Sequence, residues 1–257
     1  MCFDLDSRPP IAPIAGGALD HADVRLTASG GATFRAFIAR AALPTGAGMI
    51  VLPDVRGLHP YYEELALRFA EAGVDAIAID YFGRTAPDDD RGEAFAFMDH
   101  VARTRYATLA ADVAAAAAAL RAETGGRVTR LHAVGFCFGG RLSFDAAAMG
   151  LGLAGVVGFY GWPVGAARTD VPAPAETADR MAGRVLGLFG GADQGIPPEA
   201  VATFEASLAA AGVPHELVTY PGAPHSFFDR KHAEFAAESA DAWARVLAFT
   251  ADGAPAD

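Results

Sequence analysis

Lysine is nearly missing: Lys231 is the only one among 257 residues, and 31 acids against 20 lysines and arginines give a formal charge of −11. Such a chain has no broad basic surface of the kind a phosphate backbone requires, so nucleic acid is excluded as a partner. The acidic surface also repels anionic small molecules at long range, and any such substrate needs locally placed arginines. Cysteine is equally scarce. Only Cys2 and Cys137 occur, and a residue so near the terminus is a poor disulfide partner, which leaves Cys137 as a free thiol. Long apolar runs are absent: Val113 to Leu120 and Leu153 to Val164 are short or broken by Gly and Pro, well below the roughly 18 residues of a membrane span. The opening Met1 to Asp6 carries acids and no basic region ahead of an apolar core, so no signal peptide is read there and cytoplasm is the default location. The seven histidines fall in no His-x-x-x-His pattern, there is no Cys-x-x-Cys, and no P-loop occurs. No metal and no cofactor are expected.

What is present is a globular composition, 52% hydrophobic and 20% charged, long enough to bury a substantial core in a single domain over residues 1–257. Short β-rich runs alternate with helical stretches, the pattern of an α/β fold with a mainly parallel central sheet and helices on both faces. A hairpin is expected over about 20–40, Asp23 to Ala28 and Ala32 to Ala39 flanking Ser29-Gly30-Gly31. Further strands are expected at Met49 to Leu52, Val74 to Ile79, Val128 to Val134, Ala154 to Phe159, Arg184 to Phe189 and His215 to Tyr220. Pro60 to Ala72 has the apolar spacing and glycine stop of an amphipathic helix, and the alanine-rich Tyr106 to Glu123 is a helix by propensity. Ala86 to Arg105 reads either as an excursion covering a pocket or as a plain surface helix. Pro163 to Asp179 reads as a long loop, and the residues after Ala251 as a frayed tail.

The chemistry gathers where strands end. Gly135-Phe136-Cys137-Phe138-Gly139-Gly140 follows the apolar Leu131 to Val134 and precedes a helical stretch from Arg141 to Met149. This is a Gly-x-nucleophile-x-Gly elbow with cysteine in the nucleophile's place. Glycines on both sides permit the sharp turn, and the following helix aims its N-terminus at the sulfur, favouring thiolate and setting the Phe138 N–H where an oxyanion would form. The competing reading is a glycine-rich turn around an inert core cysteine. Two further residues weigh against it. Asp193, in Gly190-Gly191-Ala192-Asp193-Gln194, and His225, in Pro221-Gly222-Ala223-Pro224-His225-Ser226-Phe227, each follow a separate strand. Together they complete the chain order nucleophile, acid, histidine. Alone, Asp193 would be a turn or cap aspartate. His132, inside a strand, reads as a core residue.

From about Ala47 to Leu247 the chain resembles the dienelactone hydrolase family of α/β-hydrolases. The resemblance rests on Asp80-Tyr81-Phe82-Gly83-Arg84, the Gly135 to Gly140 elbow, Phe159-Tyr160-Gly161, the Gly190 to Asp193 turn and His225-Ser226-Phe227. It implies an α/β-hydrolase fold, a Cys137–His225–Asp193 triad, and hydrolysis of a small, carboxylate-bearing lactone or activated ester through a thioester. It also implies that Arg84 binds the substrate carboxylate. The family's thiol-activating glutamate falls at Asp54, one methylene shorter, and Val55 N–H would be the second oxyanion donor. The family's second carboxylate-binding arginine falls at Asp229, with Arg230 one step on and Arg56 and Arg141 as alternative carriers of the charge. Tyr81, Phe82, Trp162 and Phe227 are candidates for an aromatic pocket wall or for the core. A broader carboxylesterase or thioesterase, a ligand-binding homologue without turnover and a redox-responsive thiol protein are the alternatives.

Overall fold

The computed structural model describes residues 6–251; Cys2 and the tail beyond Ala251 lie outside the described residues. The chain opens with the hairpin β1 (Ala18–Thr27) and β2 (Thr33–Ala41), whose turn holds Gly30 and Gly31 at positive φ. Six further strands follow: β3 (Ala47–Leu52), β4 (Asp75–Ile79), β5 (Arg130–Phe136), β6 (Gly155–Phe159), β7 (Arg184–Gly190) and β8 (His215–Tyr220). They make one sheet in the order β1-β2-β4-β3-β5-β6-β7-β8, antiparallel over β1, β2 and β4 and parallel from β4 to β8. Every residue of β3, β4 and β6 is buried, as expected of parallel strands covered on both faces.

The helices are α1 (Pro60–Glu71), α2 (Phe97–Arg103), α3 (Tyr106–Glu123), α4 (Phe138–Ala146), α5 (Pro198–Ala210) and α6 (Ala236–Ala251). Residues 155 and 158 of β6 point to opposite faces because side chains alternate along a strand. A side chain at Gly155 would meet Phe249 of α6, and one at Gly158 would meet Phe144 of α4. The two helices therefore cover opposite faces. Phe69 of α1 packs on Trp243 of α6, with ring centroids 4.8 Å apart. This is the α/β arrangement that the alternation of elements indicates, and it agrees with the α/β-hydrolase fold that the family resemblance implies.

Two boundaries differ from the sequence pattern in a way that matters for the site. Strand β5 runs through Gly135 to Phe136, and α4 begins at Phe138, not at Arg141. Only Cys137 separates strand from helix. The segment 163–179 is not a plain loop, since it closes in 3-10 turns at Pro174–Glu176 and Ala178–Arg180. Arg141, 2% exposed, ties it down by donating to the carbonyls of Trp162, Gly165, Val171 and Pro172. Among the described residues no helix is long and apolar enough to cross a membrane.

Candidate functional site

Parallel strands bring the loops at their carboxyl ends to one edge of the sheet, where α/β proteins bind their ligands. Here those loops carry Asp54 after β3, Cys137 after β5, Tyr160 after β6, Asp193 after β7 and His225 after β8.

Cys137 sits at φ 56°, ψ −115°, and its N–H donates to Phe159 O over 3.0 Å. A non-glycine residue in this region of φ/ψ space is strained and persists only because its surroundings enforce it. The enforcing contact is visible at Gly139. A Cβ there would stand 2.1 Å from Pro53 O and 2.2 Å from Leu52 O, so only glycine lets the first turn of α4 lie against the end of β3. That approach sets the elbow beside Asp54 and Val55.

Tyr160 and Ser226, at φ 38° and 66°, share the strained backbone of Cys137. Both border His225: Ser226 follows it in the chain, and the Tyr160 ring packs 4.8 Å from the imidazole. The Trp162 ring lies 5.6 Å away. His225 Nδ1 is 2.6 Å from Asp193 Oδ2, and Asp193 Oδ1 accepts the Gly195 N–H over 2.8 Å. The acid is buried, whereas the histidine side chain keeps a quarter of its surface in solvent. A carboxylate held from two sides fixes the ring's rotation and leaves Nε2 as the outward nitrogen.

Val55 and Phe138 both line a cavity of about 310 Å³. Its other walls come from Met98 and Val101 of α2, from Trp162 and Val164, and from Ala166 to Arg168, with Arg141 as a further cation. The excursion at 86–105 thus does reach over a pocket. It is anchored at its base by the buried ion pair of Arg91 with Asp80, 2.6 Å, and by Phe95 stacked on His100.

The remaining expected site residues are placed otherwise. Arg84 does not line this cavity: its Nε lies 2.9 Å from both carboxylate oxygens of Asp112, in a separate small cleft with Tyr81. Asp112 is 1% exposed, and burial pushes its pKa up to about 6 against the pull of Arg84. Tyr81 is a structural clamp, its hydroxyl shared between the carbonyls of Pro53 and Asp54 at 2.6 and 2.7 Å. Phe227 is no pocket wall. It is fully buried against Phe159, Tyr160 and Tyr220, and Phe82 is equally enclosed. Asp54 is fully buried, and its Oδ1 accepts the Arg56 N–H over 2.9 Å, so part of its capacity shapes its own turn. Arg56 is buried as well.

Asp229, where the resemblance places a second arginine, cannot stand in for one. It is fully buried beneath the site, accepting hydrogen bonds from Tyr160 Oη over 2.6 Å and from the Arg230 N–H. Burial, with Asp54 adding repulsion, raises its pKa to about 8 although both hydrogen bonds oppose this. His132 is a core residue, its pKa lowered to about 4 by burial. Tyr160 is the residue sequence reasoning undervalued. The Phe-Tyr-Gly run after β6 points to it, but its strained backbone and its bridge from His225 to Asp229 depend on residues far along the chain. Among the described residues, no group of three or more His, Cys, Asp or Glu could hold a metal.

The dienelactone hydrolase family profile matches residues 34–252. A Salmonella typhimurium protein described as "Putative carboxymethylenebutenolidase" is 32% identical over 254 residues, covering 95% of this chain and 94% of its own. A solved structure from Klebsiella pneumoniae, described as a "Putative Dienelactone Hydrolase", superposes with TM-score 0.78 at 30% identity, covering 91% of this chain and 99% of that one. A Pyrococcus furiosus esterase at 12% identity shares the fold alone, with TM-score 0.65 and coverage of 96% and 97%. The match runs from β2 to the end of α6 and takes in every strand-end loop described above, which makes this chain a hydrolase of the dienelactone hydrolase family.

Proposed function

We propose that Cys137, His225 and Asp193 act as a nucleophile–base–acid triad that hydrolyses a small activated ester or lactone through a thioester on Cys137. The observation that carries this reading is the strained elbow at Cys137, a conformation costing on the order of 1–3 kcal/mol, which an inert core cysteine would not need. Strain of this kind is retained where it presents a reacting atom at a strand end, and Cys137 is held there while only 4% exposed.

In this reading His225, oriented by Asp193, draws the proton from Cys137 Sγ, and the thiolate attacks the carbonyl carbon. The oxyanion rests on the N–H groups of Phe138 and Val55. The first belongs to the opening turn of α4, whose N–H groups have no partner within the helix and carry the positive end of its dipole. Each such donor is worth about 3 kcal/mol in comparable sites. Collapse of the tetrahedral species breaks the C–O bond, His225 returns its proton to the departing oxygen, and a water activated by His225 then hydrolyses the thioester. Asp54, behind the oxyanion donors, orders the loop that presents Val55.

Sulfur narrows the substrates. A thiolate is itself a good leaving group and departs again when the competing alkoxide is poor, so enol-lactones and activated esters are favoured over alkyl esters. A second reading, a broader carboxylesterase, is favoured by one observation: Arg84 is held by Asp112 and Asp229 is buried, so neither family position supplies a free cation to clamp a dienelactone carboxylate. Both readings share the nucleophile. Cys137→Ala should abolish turnover of 4-nitrophenyl acetate and of an enol-lactone while the thermal melt stays cooperative. Retained hydrolysis would remove Cys137 from the mechanism.

A further inference from the structure

The cavity beside Val55 and Phe138 is apolar along most of its wall, with Met98, Val101, Trp162 and Val164 among its lining residues, and no acid lines it. Two cations do, and they differ in what they are committed to. Arg141 is buried, and its two terminal nitrogens are committed to the four main-chain carbonyls it holds, with Nε enclosed and making no hydrogen bond among the described residues. Arg168 is exposed on the segment between β6 and β7, and among the described residues it makes no ion pair. Arg168 shares this with other exposed arginines, such as Arg103, Arg180 and Arg230, but it is the one among them that lines this cavity. A cation left without an acid at the rim of an otherwise apolar cavity is a recognition element for an anion.

We propose that Arg168 is the anion anchor of this enzyme, and that its preferred substrates are esters or lactones with an apolar body and a free carboxylate that reaches the 163–168 segment. The charge-recognition role is thereby moved off the segment after β4, where Arg84 is spent on Asp112, and onto the segment after β6. Because the cavity of about 310 Å³ has room beyond a small lactone ring, the carboxylate is separated from the scissile carbonyl by a spacer of several carbons. The proposal rests on the reading that this cavity is the acyl-binding site of Cys137.

The test compares two 4-nitrophenyl esters of matched length, hexanoate and the monoanionic adipate, in the wild-type enzyme and in Arg168→Gln, Arg168→Lys and Arg84→Gln. The wild type should favour the adipate. Arg168→Gln should lower the ratio of kcat/KM for adipate over hexanoate about tenfold, the size of one lost charge-assisted hydrogen bond at a partly solvated site. Arg168→Lys should restore most of the ratio, and added salt should lower it in the wild type and not in Arg168→Gln. The proposal is overturned if the wild type shows no preference for the adipate, if Arg168→Gln leaves the ratio unchanged, or if Arg84→Gln is the variant that collapses it. Cys137→Ala separates the two levels: full hexanoate turnover in that variant would sink the catalytic reading, while a charge ratio that still follows Arg168 would stand.

Discussion

Cys137 follows β5 directly, while Arg84 stands five residues beyond the end of β4, and the family resemblance assigns both to the substrate. The structure treats them differently. Cys137 is set by main-chain geometry: a strand, a helix and a glycine contact leave its Cα one place to be. Arg84 is set by its side chain's choice of partner, and Asp112, 28 residues on and 1% exposed, takes it in a paired contact at 2.9 Å. A backbone position is encoded by its immediate neighbours. The destination of a long cationic side chain depends on which remote carboxylate comes within reach, and burying that carboxylate makes the pairing hard to give up. The half of the site that holds the proposed nucleophile is thus fixed by local main-chain geometry, whereas the proposed charge-recognition half depends on remote side-chain partners.

The largest expected effect strikes the half fixed by main-chain geometry. Gly139→Ala would drive a methyl into Leu52 O and Pro53 O at about 2 Å, main-chain atoms that cannot rotate away. A loss of about 3 kcal/mol or more in chemical denaturation is expected, together with loss of activity as α4 is pushed off β3. A fully active, equally stable variant would mean that the elbow is not held by this contact.

Arg84→Gln probes the other half. If Arg84 serves Asp112 and not the substrate, the variant should lose about 2 kcal/mol of stability by leaving a buried carboxylate without its cation. The loss should widen as pH rises. The folded pKa of Asp112 is already raised to about 6, and removing Arg84 raises it further, so across the window above the unfolded value the unfolded chain sheds a proton that the folded one keeps. Melts at about pH 5 and pH 8 measure this; an unchanged melting temperature with a selective loss of anionic substrates would restore Arg84 to substrate binding.

A third effect concerns Asp229, buried beneath Tyr160, whose ring packs on His225. With its pKa pushed by burial up to about 8 in the fold, it costs the fold nothing below the ordinary carboxylate range, and stability is lost as pH rises from there through the folded value. Asp229→Asn lacks this slope. Its melting temperature relative to wild type should rise between about pH 5 and pH 8.5, with a flat difference contradicting the assignment.

The same contrast explains what was legible in the sequence. The eight strands and the elbow could be read because each is signalled within a few residues, by β-rich runs and by Gly135, Gly139 and Gly140. Asp193 and His225 could be read because each directly follows a strand, and their 2.6 Å contact follows from β7 and β8 being neighbours. The partners of Arg84, the clamp made by Tyr81, the burial of Phe227 and the bridge from Tyr160 to Asp229 could not. Each joins residues dozens of positions apart, and no periodicity or local motif carries that information. Asp229 is the sharpest case. The resemblance marks an arginine's position, and only the burial of that position reveals that a charge facing substrate is impossible there.

The most direct test of the nucleophile is to catch it acylated. Mixed with 4-nitrophenyl acetate at alkaline pH, where a thiol ionises without a base, the His225→Gln variant lacks the group that activates the deacylating water and should accumulate an acyl group, and peptide mass spectrometry after acid quench should place it on Cys137, labile to hydroxylamine as a thioester is. Acylation at any other residue, or steady hydrolysis by His225→Gln with Cys137 unmodified, would contradict the account.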